Sequence, residues 1–270
     1  MEKKFGIRVI IYLILALYAG DIQAQDSFYI TKVQGLITTQ GGDVVKAGAT
    51  IDSRERLVFK DSAAYAYAID NRNIIFSILP FELRSGFEES ANLLASPIRP
   101  IKRALSDSQA KNNLSFYFGG KTFTVIGTSV ALPVNATAYA FTDDFFLVFS
   151  FNGEHKQISK RIPFEKNCLI IDKNRLFETR FGELKSYPKE RVEAFLFSPS
   201  TRKSQSLGVF NLQFIGEADM ERELRLVADY FKHQNMDGNT AKQRLYDYFH
   251  SLYGEAEPNR LAILINKVME

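Results

Sequence analysis

The sequence contains no tryptophan and a single cysteine, Cys168. One cysteine cannot form an internal disulfide, so a fold held together by disulfides is excluded. Cys168 lies in the β-favouring stretch 167–171, and we expect it to be a small buried core residue of a strand. Because carbohydrate-binding modules often stack sugars on tryptophan, its absence weighs against such a module, although tyrosine can serve in its place.

Recognisable catalytic and metal-binding patterns are also missing. The only histidines are His155, His233 and His250, and no HExxH or paired-cysteine spacing surrounds them, so no zinc site is predicted. No phosphate-binding loop or dinucleotide fingerprint is present, and the segment 127–131 has only half of a nucleophile elbow. We therefore predict a protein that is not an enzyme, with no catalytic residue, no cofactor and no metal.

Charge of one sign is not in excess. The chain carries 34 Lys and Arg against 31 Asp and Glu, a formal net charge of +3. This balance gives no electrostatic reason to expect binding to nucleic acid or to a strongly anionic surface. The apolar share of 46 % predicts a packed core.

The only long apolar run is at the N-terminus, and it has the three zones of a secretory signal peptide. Basic residues precede the apolar run 9–19, which is too short to span a membrane, since a spanning helix needs about 20 residues. Small residues follow, and cleavage between Ala24 and Gln25 is predicted. The alternatives are an uncleaved N-terminal anchor and a buried helix, and the polar segment 21–27 argues against the second.

A signal peptide over 1–24 implies that the protein works outside the cytoplasm. No cysteine follows the predicted cleavage point, so lipid attachment is not expected, and no later apolar run is long enough to span a membrane. An exported chain without disulfides is more typical of a bacterial envelope than of a eukaryotic secreted domain. We therefore expect a periplasmic or secreted protein that reaches the envelope through protein partners.

Residues 25–80 alternate short β-favouring runs with glycine-containing turns, which predicts a small β-domain, a barrel or a sandwich. Val33-Gln34-Gly35 is followed by a turn, then by 45–51 and then by 57–59. This order of turn glycines and apolar residues resembles the FecR-type β-domain over about 50 residues, with Ala49 in place of the family's usual Asp. SH3-like barrels share the same turn signals.

The FecR resemblance implies an exported module that serves in envelope signalling or as an adaptor. Full FecR regulators also have a cytoplasmic sigma-factor-binding segment ahead of a transmembrane helix, and this sequence has no room for that segment. We therefore expect the adaptor role and not the regulatory one. As a whole, the layout is similar to uncharacterised exported proteins of Bacteroidota-type bacteria.

Residues 81–113 are polar, contain prolines and lack a sustained apolar period, which predicts a linker with a short helix near 86–94. The basic group Arg99, Lys102 and Arg103 is either a contact for a partner or, as we favour, a solvated surface.

Residues 114–216 return to β-favouring runs, about seven of them, and predict an immunoglobulin-like β-sandwich. The clearest local signal is the run 145–151 followed by Asn152-Gly153. An Asn-Gly pair at this place predicts a hairpin with a two-residue type I′ turn, because both turn positions need positive φ.

From residue 217 the apolar period becomes helical and predicts a three-helix tail over 217–270. The second helix is expected to open with a capping box at Thr240–Gln243 and to end at Gly254, and Pro258 is expected to start the third. The helices either pack on themselves or the sandwich, as we favour, or present a partner-binding surface. The stripe of the first helix is Met220, Leu224, Val227 and Phe231.

The sequence thus predicts a mainly β protein with a small N-terminal β-barrel, a central immunoglobulin-like β-sandwich and a helical C-terminus. The favoured function is that of an exported, non-catalytic adaptor or structural protein of the bacterial cell envelope that acts through protein–protein contacts. A glycan-binding protein with exposed aromatic side chains and an enzyme of unrecognised type remain the alternatives.

Overall fold

The computed structural model describes residues 27–80, 95–97, 114–119, 122–153, 156–179, 182–183 and 189–270. Over these residues the protein is mainly β with helices at the C-terminus, which confirms the predicted class. The chain divides into two compact units, Met1–Ile98 and Arg99–Glu270. The predicted cleavage site at Ala24 and Gln25, the short helix at 86–94 and the basic group at 99–103 lie outside the described residues.

The first unit is an open antiparallel sheet of five strands in the order β3-β1-β5-β6-β7. The strands β2 and β4 pair with each other and not with an edge of the larger sheet, so no sheet among the described residues closes into the barrel that the sequence predicted. The strands are β1 Ser27–Gln34, β2 Ile37–Thr39, β3 Thr50–Asp52, β4 Leu57–Phe59, β5 Tyr65–Asp70, β6 Ile75–Ile78 and β7 Ala95–Pro97.

Alternation along the strands builds the core of this unit, because every second side chain of a strand points to the same face. Phe28 and Ile30 of β1 are buried in this way, together with Ala66 and Ala68 of the neighbouring β5. The strand β7 was not predicted, since it lies in the segment assigned to the linker. Its proline is compatible with pairing because β7 is an edge strand.

The second unit contains a five-stranded sheet in the order β11-β10-β16-β17-β8, in which only β17 and β8 run parallel, and a three-stranded sheet in the order β12-β13-β9. Its elements are α1 Leu114–Phe118, β8 Thr122–Ile126, β9 Ser129–Pro133, β10 Phe146–Asn152, β11 Gln157–Arg161, β12 Phe164–Glu165, β13 Cys168–Asp172, α2 Lys173–Phe177, β14 Glu178–Thr179, β15 Gly182–Glu183, β16 Lys189–Ser198, β17 Lys203–Ile215, α3 Glu217–His233, α4 Gly238–Tyr253 and α5 Pro258–Met269.

Both of these sheets contribute side chains to one hydrophobic core. Leu132 and Ile171 come from the smaller sheet, and Phe149 and Phe210 come from the larger one. Phe118 of α1 packs against both aromatic rings, with ring centroids 5.1 Å from each. The segment 114–216, which the sequence predicted to be made of strands, therefore begins with the buried helical turn α1.

The hairpin predicted at Asn152-Gly153 exists between β10 and β11, but its type I′ turn is wrong. Asn152 pairs with Gln157, so four residues connect the strands, and neither Asn152 nor Gly153 has a positive φ. The side chain of Ile158 packs over this glycine, and a Cβ there would lie 2.7 Å from its Cδ1, so Ile158 would have to shift.

Cys168 is half-buried, and the prediction of a buried core residue is wrong. It is the first residue of β13, opposite Glu165, directly after a two-residue turn. The turn residues Lys166 and Asn167 have φ of 50° and 63°, the geometry that the sequence predicted for the other hairpin. The strand enters the core only at the next residue, Leu169, which is fully buried.

The C-terminal helices follow the predicted periodicity. The stripe Met220, Leu224, Val227 and Phe231 of α3 is buried, α4 ends at Gly254, and Pro258 begins α5. None of the helices in the described ranges is both long enough and apolar enough to cross a membrane.

The capping box at Thr240 is wrong, because the N-cap of α4 is Asp237, three residues earlier than predicted. The carboxylate of Asp237 accepts the N–H groups of Asn239 and Thr240, both at 3.1 Å, and so caps the helix. A hydrogen bond from the Thr240 side chain, followed by the backbone hydrogen bonds from Thr240 and Asn239, lowers the pKa of Asp237. Asp237 caps the helix in place of Thr240 because its carboxylate accepts hydrogen bonds from two backbone N–H groups of the first turn.

Candidate functional site

The five-stranded sheet of the second unit has one apolar and one polar face. Val192 and Phe210 point into the core, while the residues beside them on β16 and β17 point to the polar face. Across that face Arg191 lies opposite Asn211, which in turn lies opposite Thr122 of β8. Strand pairing therefore brings three polar side chains into one row, although they are far apart in the sequence.

The connection between α4 and α5 closes one side of this face. The N–H of Glu255 donates to the carbonyl of Thr122 at 2.9 Å, and the N–H of Thr124 donates to the carbonyl of Glu255 at 2.7 Å. The hydroxyl of Thr124 donates to the carbonyl of Tyr253 at 2.5 Å. The segment 253–255 thus adds to the edge of β8 in the manner of a short further strand.

This added segment can approach β8 only because residue 254 is glycine. Gly254 has a φ of 74°, and a Cβ on it would overlap the carbonyl oxygen of Thr122 and lie 2.9 Å from the Thr122 Cβ. The same glycine terminates α4, since its N–H donates to the carbonyl of His250 at 3.2 Å. The end of the helix and the edge of the sheet are therefore joined at one residue.

A cleft of about 560 Å³ opens between the polar face and the end of α4. The sheet forms its floor, and the last turn of α4 with the segment that follows forms its wall. The residues that line it are Thr122, Lys189, Arg191, Val209, Phe210, Asn211, His250, Ser251, Leu252 and Gly254. This cleft is the candidate functional site.

The cleft is basic. Lys189 and Arg191 are both exposed and lie two residues apart on β16, so both side chains leave the same face. Neither forms an ion pair with any residue in the described part of the chain, and no described residue of the lining is acidic. Two neighbouring cations without ion-pair partners among the described residues attract an anionic group, because their fields add in a concave site.

His250 contributes a polar group from the wall. Its Nδ1 lies 2.8 Å from the carbonyl oxygen of Gly254, so Nδ1 carries a hydrogen and donates it. The carboxylate of Glu255 lies 3.8 Å from the same nitrogen. These contacts orient the ring, and in the neutral form they leave Nε2 as its acceptor nitrogen.

A buried carboxylate behind the cleft fixes the position of the wall. Glu223 of α3 is only 7 % exposed. It accepts hydrogen bonds from the hydroxyl of Tyr248 at 2.7 Å and from the hydroxyl of Tyr253 at 2.5 and 2.6 Å. Both tyrosines belong to α4, so this cluster ties the C-terminal half of that helix to α3.

The sequence identified few of these residues as functional. Of the three histidines, His250 lines the cleft, His233 is exposed at the end of α3, and His155 lies outside the described residues. Within the described ranges no group of three or more His, Cys, Asp or Glu side chains is placed to hold a metal. Lys189 and Arg191 were missed, although residues two apart on a strand lie on the same face.

The lining also bears on the choice of ligand. Phe210 is the one Phe, Tyr or Trp among the described residues of the lining, and it is 2 % exposed. A sugar ring therefore finds no open aromatic face in this cleft. Cations and hydrogen-bonding groups beside the exposed Val209 favour an anionic ligand with an apolar neighbour.

No protein-family model matches this chain, and neither does any curated protein.

Proposed function

We propose that this protein is an exported adaptor of the bacterial cell envelope, periplasmic or secreted, that acts through protein–protein contacts and not through catalysis. The observation that carries the proposal is the basic cleft, in which Lys189 and Arg191 stand without ion-pair partners among the described residues. Exposed cations next to an exposed valine make a surface suited to a partner's anionic segment.

The organisation of the chain supports the same proposal. The first unit would be a FecR-like module and the strands of the second unit an immunoglobulin-like sandwich, since its two sheets share one core. Modules of this kind present rigid faces and edges to other proteins. The helices would then serve as a clasp that forms one wall of the contact site at Gly254.

Cross-linking inside cells tests the adaptor function. A photo-cross-linking amino acid is introduced at Val209, which is 45 % exposed in the cleft, and separately at Ile263, an exposed residue of α5 outside it. We expect a protein adduct of one defined mass from position 209 and none from position 263. Equal adducts from both positions, or none from either, would contradict the proposal.

Export is tested by fractionation of the same cells. The chain is expected in the periplasm or the medium, and its N-terminus is expected to be Gln25 after removal of residues 1–24. Recovery of the intact chain from the cytoplasm would overturn the proposed localisation.

A further inference from the structure

The spacing of the two cations in the cleft specifies the ligand more closely. Lys189 and Arg191 are at positions i and i+2 of β16, so their Cα atoms are about 7 Å apart along the strand. An extended peptide repeats side chains on one face at the same interval of about 7 Å. Two carboxylates in such a peptide, separated by one residue, would therefore match the two cations in register.

We propose that the cleft binds an extended segment of a partner protein that carries acidic side chains at positions i and i+2. This proposal rests on the proposed adaptor function and names the chemistry of its partner. The two carboxylates pair with Lys189 and Arg191, and the intervening side chain points away from the sheet. Asn211 and Thr122 continue the row beside Arg191 and extend its polar surface across the sheet.

The residues around the pair set the composition of the rest of the segment. Glu193 follows Arg191 on the same face at the next i+2 position, and it lies opposite Val209 of β17. A third acidic side chain at that level would face the carboxylate of Glu193. An apolar side chain there would instead contact Val209, which fits an acidic–x–acidic–x–apolar pattern.

The wall of the cleft limits how the segment can lie. The side chain of Gln213, opposite Lys189, donates to the Thr124 hydroxyl at 2.6 Å and to the carbonyl of Tyr253 at 3.3 Å. The row at Lys189 is therefore closed by segment 253–255, while Val209 is exposed and no described residue is seen to cover it. The peptide is expected to enter from the open side, with its acidic pair toward the wall.

Fluorescence anisotropy with labelled, amidated peptides and the full exported chain tests this proposal. The probe has Asp at positions i and i+2 and Val at i+4; one comparison peptide has Asn at both acidic positions, and another has the two Asp residues adjacent. We expect the probe to bind about tenfold more tightly than the Asn peptide, which corresponds to two exposed ion pairs, and about threefold more tightly than the peptide with adjacent Asp residues, which keeps one of them. Its affinity is expected to fall as salt rises.

Variants of the protein place the binding in the cleft. The double variant Lys189→Ala/Arg191→Ala is expected to weaken binding of the probe about tenfold. The matched double variant Arg202→Ala/Lys203→Ala removes the same charge from the turn and start of β17 at the other end of the sheet, and it is expected to leave binding unchanged. Equal losses in the two double variants would overturn the proposal.

Two further arms distinguish the source of the anionic group. If the Asn peptide with a free C-terminal carboxylate binds as tightly as the probe, the site recognises a chain terminus and the proposal is wrong. If inorganic phosphate displaces the probe at equal concentration, the site takes a small anion and the proposal is again wrong.

The outcomes also separate this inference from the adaptor function. An adduct from position 209 that persists in the Lys189→Ala/Arg191→Ala chain would keep the adaptor and overturn the acidic segment. Selective binding of the probe without any adduct in cells would keep the segment and overturn the adaptor.

Discussion

Replacement of Gly254 by alanine is the sharpest test of how the helices join the sheet. Gly254 has a φ of 74° and a ψ of −136°, a region that is essentially restricted to glycine. A Cβ there would also overlap the Thr122 carbonyl oxygen, which is backbone of β8 and has no flexible end to move away. The substitution therefore strains residue 254 and pushes the segment 253–255 off the sheet.

The magnitude of the effect follows from these two contributions. The backbone strain amounts to roughly 1–3 kcal/mol. Displacement of the segment also loses the hydrogen bonds from Glu255 N–H to Thr122 and from Thr124 N–H to Glu255, each worth about 1 kcal/mol net. Gly254→Ala is therefore expected to lower the free energy of unfolding by about 3–5 kcal/mol.

Gly127→Ala is the matched control. Gly127 lies in the same unit and has a φ of 98°, but a Cβ there would meet no atom within 4 Å. Gly127→Ala therefore introduces the backbone strain without the clash. Gly254→Ala should lower the free energy of unfolding by about 2 kcal/mol more than Gly127→Ala does, because it alone loses the two hydrogen bonds.

Urea unfolding followed by circular dichroism at 222 nm measures both variants, because α3, α4 and α5 dominate that signal and belong to the second unit. Equal destabilisation by Gly254→Ala and Gly127→Ala would refute the reasoning. The segment 253–255 would then not depend on its close approach to β8.

Three further substitutions test other parts of the fold. Tyr253→Phe removes the hydroxyl that donates to both oxygens of the buried Glu223, and unfolding free energy should fall by about 2 kcal/mol; no change in urea midpoint would contradict this. Asp237→Ala should destabilise α4, whereas Asp237→Asn keeps a cap. Hydrogen bonds from Thr240 lower the pKa of Asp237 in the folded protein. The Asp237 carboxylate therefore stabilises the wild type above its unfolded pKa, and this stabilisation is lost as the pH falls through the folded pKa. The Asn variant should lack this acid dependence when the free energy of unfolding is measured against pH. Gly35→Ala should destabilise the first unit by roughly 2–4 kcal/mol, because φ is 76° and the new Cβ would lie 2.7 Å from the Cβ of the buried Ala64. A Cβ on Gly42 would meet no atom within 4 Å, so Gly42→Ala should lower the melting temperature less.

The sequence by itself determined the elements whose side chains repeat regularly. The stripe from Met220 to Phe231 specified a buried helix face, because four residues at helical spacing can be buried together only on a helix. Gly254 and Pro258 marked helix ends, because each has a backbone preference that acts locally. The β-favouring runs 145–151 and 192–197 likewise predicted strands, and β10 and β16 form at these places.

The sequence was misleading where several local solutions compete. Asn152-Gly153 has the composition of a type I′ turn, yet that geometry is found at Lys166-Asn167. Pairing of Phe151 with Ile158 sets the register of the first hairpin, and that register requires a four-residue connection. Side-chain packing across the strands therefore outweighs the local preference of the Asn-Gly pair.

Only the tertiary structure decided where the cleft is. Lys189 and Arg191 become a site because β17 and β8 bring Asn211 and Thr122 alongside them, and because the connection after α4 adds to the edge of β8. Strand order and the parallel pairing of β17 with β8 depend on contacts between residues about 90 positions apart, which no local pattern encodes. The sequence places the two cations two residues apart, and the fold makes the strand face that carries them one side of a cleft.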